Sequence, residues 1–345
     1  MTASAAAASR LPRGRMVIFG AVGLTVALWA SAFVAIRYAD RELSPGALAL
    51  GRLLVGSLAL GLLVLLRREP LPDRRSLAGI VVCGVLWFGV YNVALNAAEI
   101  RIDAGTAAML VNIGPILIAI FAGVLLHEGF PSRLFAGCLV SFAGAVIIGL
   151  ATSQHGVHAT LGVVLCLVAA LGYAGGVIAQ KPALRHTSPL MVTWLACTVG
   201  AITCLPYAGT FVREIGHAGS STIIWTVYLG VAPTAIGFAT WAYALARTTA
   251  GRMGSTTYLV PPLALLFGWA FLGEVPPALV LPGGALCLAG VALARTSGRR
   301  RIISGTCIGP GSNGCVPEPA GSTVGSIRST GNRISSRSSF GSPSD

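Results

Sequence analysis

Runs of 18 or more apolar residues recur along most of this chain, and no other feature restricts its fold as strongly. Wound as a helix, each run is long enough to cross a hydrocarbon core of roughly 30 Å. No water reaches such a core to bond a free N–H or C=O, and a helix satisfies both within the segment itself. A length of 345 residues would suit two soluble domains, but 54% of the residues are hydrophobic and only 10% carry charge. A mean hydropathy of +0.79 is too high for a soluble protein of this size. The expected fold class is therefore all-α and polytopic, with the lipid bilayer as solvent.

Bounding the runs by charge, proline and glycine gives ten transmembrane helices, near 16–37, 45–66, 77–98, 104–126, 133–151, 160–180, 188–209, 221–245, 251–272 and 278–295. The connections are short, so sequence neighbours are expected to pack as antiparallel pairs. Met16 to Ile36 is longer than the apolar core of a secretory signal and reads as a retained first span. Basic residues test the count. With the N-terminus inside, 16 Lys and Arg fall on the cytoplasmic side, against Arg37, Arg41, Arg101 and Arg213 on the other. The positive-inside rule demands such a bias, and one missed span would scramble it. Residues 1–15 and 299–345 are then cytoplasmic. The second of these segments is rich in Ser and Gly, has no apolar period, and is expected to be a disordered tail.

A formal charge of +13 invites a nucleic-acid partner, but the basic residues stand in short clusters between apolar runs, so none is expected. Eight cysteines form no CxxC pair and no Cys/His cluster at zinc spacing. Six of them (Cys83, Cys138, Cys166, Cys197, Cys204 and Cys287) lie inside apolar runs, where cysteine behaves as a small hydrophobe. No metal or cofactor is expected.

The stretch from Asn112 to Glu128, NIGPILIAIFAGVLLHE, has a partner in LVPPLALLFGWAFLGE, which ends at Glu274. A shift of 146 residues places Pro115 on Pro261, Glu128 on Glu274, Arg101 on Arg247, Gly105 on Gly251 and Gly144 on Gly290. Trp29 and Arg37 fall on Tyr173 and Lys181 at a shift of 144. The chain thus reads as two five-helix repeats, residues 16–151 and 160–295. An odd number of spans forces the second copy to enter the membrane from the opposite side. Inverted repeats of this kind hold a transporter's substrate near the midplane, between the halves.

The segment LWASAFVAIRYADRELSPGALALGRLLVGSLAL resembles the first two spans of EamA-type permeases of the drug/metabolite transporter superfamily, through Trp29, Ser31, Phe33 to Ala35, and Arg52. The family's P…GE ending of the fourth span resembles Pro115…Glu128, with His127 where Gly is usual, and Pro261…Gly273-Glu274. Its fifth span resembles Phe142 to Val146 and Leu288 to Val291. The resemblance covers residues 16 to 295. It implies a multi-pass permease of a bacterial inner membrane, usually an exporter of small metabolites such as amino acids, and it carries no catalytic set.

Each of the eleven carboxylates lies in a loop, in the tail or near a span end. An exporter that trades cationic drugs for protons needs a buried acid, so that activity is disfavoured, and proton coupling stays open. Arg52 is the one charge well inside a span. It either meets an anionic group of the substrate or pairs structurally with Asp40, Glu42 or Glu99. Tyr91, Asn92, Asn96 and Asn112 in the first half, with Trp29, and Tyr173, Trp241, Tyr243 and Tyr258 in the second, are candidates for the substrate pathway or for bonds between helices. Pro115 and Pro261 are expected to kink their helices beside the pathway. Glu128 and Glu274 are expected at helix boundaries, accepting from the amides that open the fifth and tenth spans. No HExxH, GxSxG or P-loop sequence occurs, so neither an enzyme nor an ATP-driven pump is expected. A gradient-driven facilitator or importer, or a membrane receptor or scaffold, stands as the alternative to an exporter. The partners foreseen are a small-molecule substrate and the bilayer, for a monomer or homodimer.

Overall fold

The computed structural model describes residues 13–101, 110–152, 160–272, 278 and 280–295, and every regular element among them is helical. The helices are α1 (Arg13–Ala39), α2 (Pro45–Arg67), α3 (Arg74–Glu99), α4 (Gly114–Leu125), α5 (Ser132–Thr152), α6 (Thr160–Ala183) and α7 (Pro189–Thr203). They continue as α8 (Ala208–His217), α9 (Ser220–Arg247), α10 (Ala250–Leu272) and α11 (Val280–Arg295). Five helices, α1, α2, α3, α6 and α9, are long and apolar enough to cross a membrane alone. A sixth crossing results if α7 and the segment bearing α8, bent by 50°, count as one span. The tail 299–345, most of residues 1–15, and Glu274 lie outside the described residues.

Several helices are interrupted, and each interruption has a local cause. α3 passes through a π-helical turn at Gly84–Val90, and α9 through another at Gly230–Ile236, 146 residues later. In the second, Pro233 removes a backbone donor. Ahead of α4, residues 112 and 113 form a turn, and Pro115 occupies the first turn of the helix that follows, where its missing N–H costs nothing. α10 opens with one short α-turn (Ala250–Ser255), tightens to a 3₁₀ segment (Thr256–Leu259) and resumes at Val260. Pro261 again sits in the first turn of the resumed helix.

The tightest helix pair is α5 with α11. A β-carbon added at Gly137 would stand 2.5 Å from the Gly290 carbonyl oxygen, and one at Gly144 would stand 2.5 Å from that of Gly283. At the crossing, Ser141 Oγ donates to Cys287 O at 3.1 Å, and Cys287 Sγ donates to Ser141 O at 3.4 Å. Residues preceding Ser141 therefore meet residues following Cys287, so the two helices run antiparallel. Without a hydrophobic drive between helices in lipid, such small-residue contact is what binds them.

Helix starts are capped across the molecule. Thr187, in the turn after α6, accepts from Asp73 N at 3.2 Å and donates to Ser76 Oγ at 2.8 Å, at the start of α3. Glu42, in the turn after α1, accepts from Gly219 N at 2.8 Å, at the start of α9, and Thr222 also bonds its carboxylate. Asp73 and Gly219 are 146 residues apart, as are Ser76 and Thr222.

Two substitutions test this account. Gly290→Val inserts volume where backbone already fills the space, and overpacking of this kind costs about 1–3 kcal/mol. A lower melting temperature in detergent is expected, and an unchanged one would refute the tight crossing. His127 has φ of 53°, in the left-handed region where a residue with a β-carbon is strained by roughly 1–2 kcal/mol. His127→Gly should raise the melting temperature; a fall would show that the imidazole makes a compensating contact.

Candidate functional site

The helices line a cavity of about 120 Å³. One water occupies roughly 10–15 Å³ on the same measure, so several waters or a small organic molecule fit. Trp29 and Phe33 of α1, Arg52 of α2, and Trp87, Tyr91 and Asn92 of α3 line it. So do Asn112 and Pro115 at the approach to α4, Tyr173 of α6, Phe238 of α9, and Thr257 and Pro261 of α10. The helix breaks at Pro115 and Pro261 thus face one space. Among the described lining residues, Arg52 is the one formal charge.

The walls are aromatic. Trp87 packs on Tyr173 at 5.1 Å, on Phe238 at 4.9 Å and on Trp241 at 5.4 Å between ring centroids. Trp29 stacks on Trp241 at 5.0 Å and meets Trp87 edge-on at 5.9 Å. Edge-to-face and offset contacts at these separations suit ring quadrupoles and hold the wall rigid. Polar groups of the cluster are spent on the helix breaks. The π-turn of α3 shifts its hydrogen-bond register, and Asn92 Nδ2 donates to Trp87 O at 3.3 Å and Phe88 O at 2.8 Å. Trp29 Nε1 donates to Pro233 O at 3.2 Å, inside the π-turn of α9. Tyr173 OH reaches Thr257 Oγ1 at 3.3 Å.

Arg52 is buried, and its guanidinium donates to the Thr234 hydroxyl from Nε at 3.2 Å and from Nη2 at 3.1 Å. Thr234 belongs to the α9 π-turn, so the charge links the two halves of the chain. A hydroxyl has two lone pairs but no charge.

The remaining candidates stand apart from the cavity wall. Asn96 is buried and donates from Nδ2 to Pro45 O at 3.1 Å, tying α3 to the start of α2. Trp241 lies behind Trp29, fully buried. Tyr243 carries the Arg247 guanidinium over its ring at 3.6 Å, near the end of α9. Tyr258 is fully buried in a separate cluster with Cys138 and Cys287. All six cysteines inside the apolar runs are buried free thiols. Glu128 differs from expectation. Its carboxylate accepts from Ala250 N at 2.9 Å and Gly251 N at 3.3 Å, capping α10 of the other half rather than the fifth span that follows it. The chain folds back over the N-terminus of α10, and the helix dipole there favours an anion from any source. Beside it, Lys181 Nζ donates to Leu245 O at 2.6 Å and to Thr248 O, at the end of α9.

Trp87, Phe33, Phe238, Thr234 and Thr257 were not singled out by sequence. The offset of 146 was a usable signal for Phe238, since it maps the candidate Asn92 onto it.

A helical bundle of this hydropathy, with a central cavity between its halves and an interruption on each side of it, defines a multi-pass membrane protein. The profile of the EamA-like transporter family matches it twice, over residues 16–150 and 160–296. The chain belongs to that family, and it is a transporter of small molecules rather than an enzyme. It is 39% identical over 288 residues to the "Probable terminal-alkyne amino-acid exporter" of Streptantibioticus cattleyicolor, covering 82% of this chain and 96% of that protein. Identity to the transporter YdfC of Bacillus subtilis is 31%, over 78% of this chain and 87% of that one. The "Probable amino-acid metabolite efflux pump" of Salmonella typhimurium is 24% identical, over 78% and 91%. A crystal structure superposes on 83% of this chain and 98% of its own with a TM-score of 0.66 at 21% identity, a likeness of fold alone.

At the opposite end from Lys181, acids cap helices in both directions between the halves. Glu214 accepts from Ser44 N at 2.7 Å and Ser44 Oγ at 2.9 Å, while Glu42 accepts from Gly219 N. The Thr222 hydroxyl and the Gly219 amide hold the Glu42 carboxyl below its usual value. A folded-state value below the unfolded one means that the cap stabilises at neutral pH and is lost as pH falls through the folded value. Glu42→Gln is therefore expected to lower the melting temperature at about pH 7 and to make little difference at about pH 3. A deficit that stays constant across that range would refute the charged cap.

Proposed function

We propose that the chain is a secondary-active exporter of small zwitterionic metabolites such as amino acids. It works by alternating access between two inverted five-helix repeats, residues 16–151 and 160–295. Ten crossings place both termini in the cytoplasm of a bacterial cell, with the protein in its inner membrane. The shorter apolar helices α4, α5 and α11, the bent α7–α8 pair and the interrupted α10 supply the crossings beyond the five long helices. Support for the repeat comes from the two π-turns at one offset, the paired caps at Asp73 and Gly219, and the antiparallel α5–α11 crossing.

The observation that carries the substrate reading is Arg52, the one formal charge among the described residues of an aromatic cavity that both halves line. Its guanidinium suits a substrate carboxylate, and the rings suit an apolar side chain and, face-on, an ammonium group. The names borne by two relatives, an amino-acid exporter and an amino-acid metabolite efflux pump, agree with that class.

The experiment is counterflow in proteoliposomes with a panel of labelled neutral amino acids, L-leucine and L-phenylalanine among them. Overexpressing cells should also enrich their medium in the solutes that exchange; a medium unchanged across amino acids would sink the exporter reading. Loss of a charged hydrogen bond costs about 1.5–3 kcal/mol, so Arg52→Ala should slow exchange roughly tenfold to a hundredfold. Arg52→Lys should retain part of it. Wild-type exchange by both variants at normal membrane levels would reduce Arg52 to a tie between α2 and Thr234.

A further inference from the structure

Among the described residues, three fully buried side chains hold polar atoms that no protein group bonds: both amide atoms of Gln180, the indole nitrogen of Trp241 and the hydroxyl of Tyr258. Buried polar groups are nearly always paired, and a lipid-embedded bundle offers the least relief to those that are not. Two of the three, Gln180 and Trp241, stand on helices that share one apolar cluster. Gln180 stands seven residues after Tyr173 on α6, so it shares the cavity-facing side of that helix, about 10 Å further along. Val177, between them on that face, belongs to the same apolar cluster as Trp241, Leu245 and Met253. Trp241 backs the cavity through its stack on Trp29, and it lies one turn before Leu245. The Leu245 carbonyl accepts from the lysine next to Gln180.

Val177, Trp241, Leu245 and Met253 thus form part of one apolar plug, which carries the unbonded Trp241 N–H and lies along the face of α6 that bears the unbonded Gln180 amide. The α9–α10 junction is clasped at both helix ends. Lys181 bonds the carbonyls that close α9, and Glu128 bonds the amides that open α10. Each charge has the sign that its helix terminus favours.

We propose that this plug is a second solute station, closed in the present conformation, where Gln180 and Trp241 receive a zwitterion once the Lys181–Glu128 clasp releases. The Gln180 carbonyl oxygen accepts from the ammonium group, while its NH₂ and the Trp241 N–H donate to the carboxylate. A neutral group with both donor and acceptor serves a solute that carries both charges and no net charge. The amide stays unbonded in the closed state because its partner is the passing solute. This station rests on the transport reading, and its test is arranged so that the two fail separately.

The full-length protein is used throughout. Gln180→Met removes both amide atoms at nearly constant volume. Were Gln180 only packing, that change would leave transport intact and raise stability. The expected result is a raised melting temperature together with counterflow of labelled L-leucine slowed at least about tenfold, the scale of one lost hydrogen-bonded contact. In a background freed of native cysteines, Gln180→Cys should react with a charged, membrane-impermeant methanethiosulfonate applied from the Lys181 side. The reaction should quicken when Glu128→Gln loosens the clasp. Leucine exchange at the wild-type rate in Gln180→Met overturns the station and leaves the transport reading standing. An unreactive Gln180→Cys in both clasp backgrounds overturns it as well. Wild-type protein that exchanges no amino acid overturns the transport reading instead, and thiol access at residue 180 still decides whether the plug opens to water.

Discussion

In hydrocarbon, a backbone group released from its helix has no water to turn to, and this structure is organised by how each such group is answered. The two π-turns and the two proline breaks free backbone groups in the middle of the bundle. Asn92 takes up the carbonyls of Trp87 and Phe88, and Trp29 takes up that of Pro233. At the helix ends the same role falls to Glu42, Glu214, Glu128, Thr187 and Lys181. Apart from those of Asn92 and Lys181, these bonds join one half of the chain to the other. The requirement that a lone helix meets internally becomes, at the breaks, a reason for the halves to hold together.

That arrangement gives the molecule two kinds of contact. Between α5 and α11 the glycines bring backbone against backbone, which suits a permanent seam. Elsewhere the halves also approach closely at Gly79, Gly84, Gly172 and Gly230, and at the helix ends they meet through single side chains on helix termini. Arg52, bonded to the hydroxyl of Thr234 across the same divide, sits where a carboxylate would find the strongest donor in the cavity.

Much of the plan was legible because lipid leaves few choices. Apolar runs marked the helices; Pro115 and Pro261, matched at one offset and expected as kinks, stand instead in the first turn of a helix segment, where both line the cavity. Arg52, as a lone charge in a span, was legible for the same reason. The roles of the polar residues were not. Asn92 and Asn96 share a helix face four residues apart, yet one repairs a π-turn beside the cavity and the other ties α3 to α2. Nothing in an apolar run says where an extra residue will be absorbed as a π-turn, so Asn92 had no visible partner. Glu128 was read as a cap for the next helix because sequence supplies only neighbours in sequence.

By itself, then, the sequence determined that this chain is a multi-pass helical membrane protein, and that stretches of it match one another at an offset of 146 residues. Hydrophobic length and local backbone bonding settle those matters, and both are properties of short segments. Which residues share the cavity, which carboxylate caps which helix, and that α5 meets α11 antiparallel at Ser141 and Cys287 were decided only in the tertiary structure. Those contacts depend on how closely glycine faces let helices approach and on where freed backbone groups find partners. The carboxylate caps and the α5–α11 crossing join segments more than a hundred residues apart, and no local pattern encodes them.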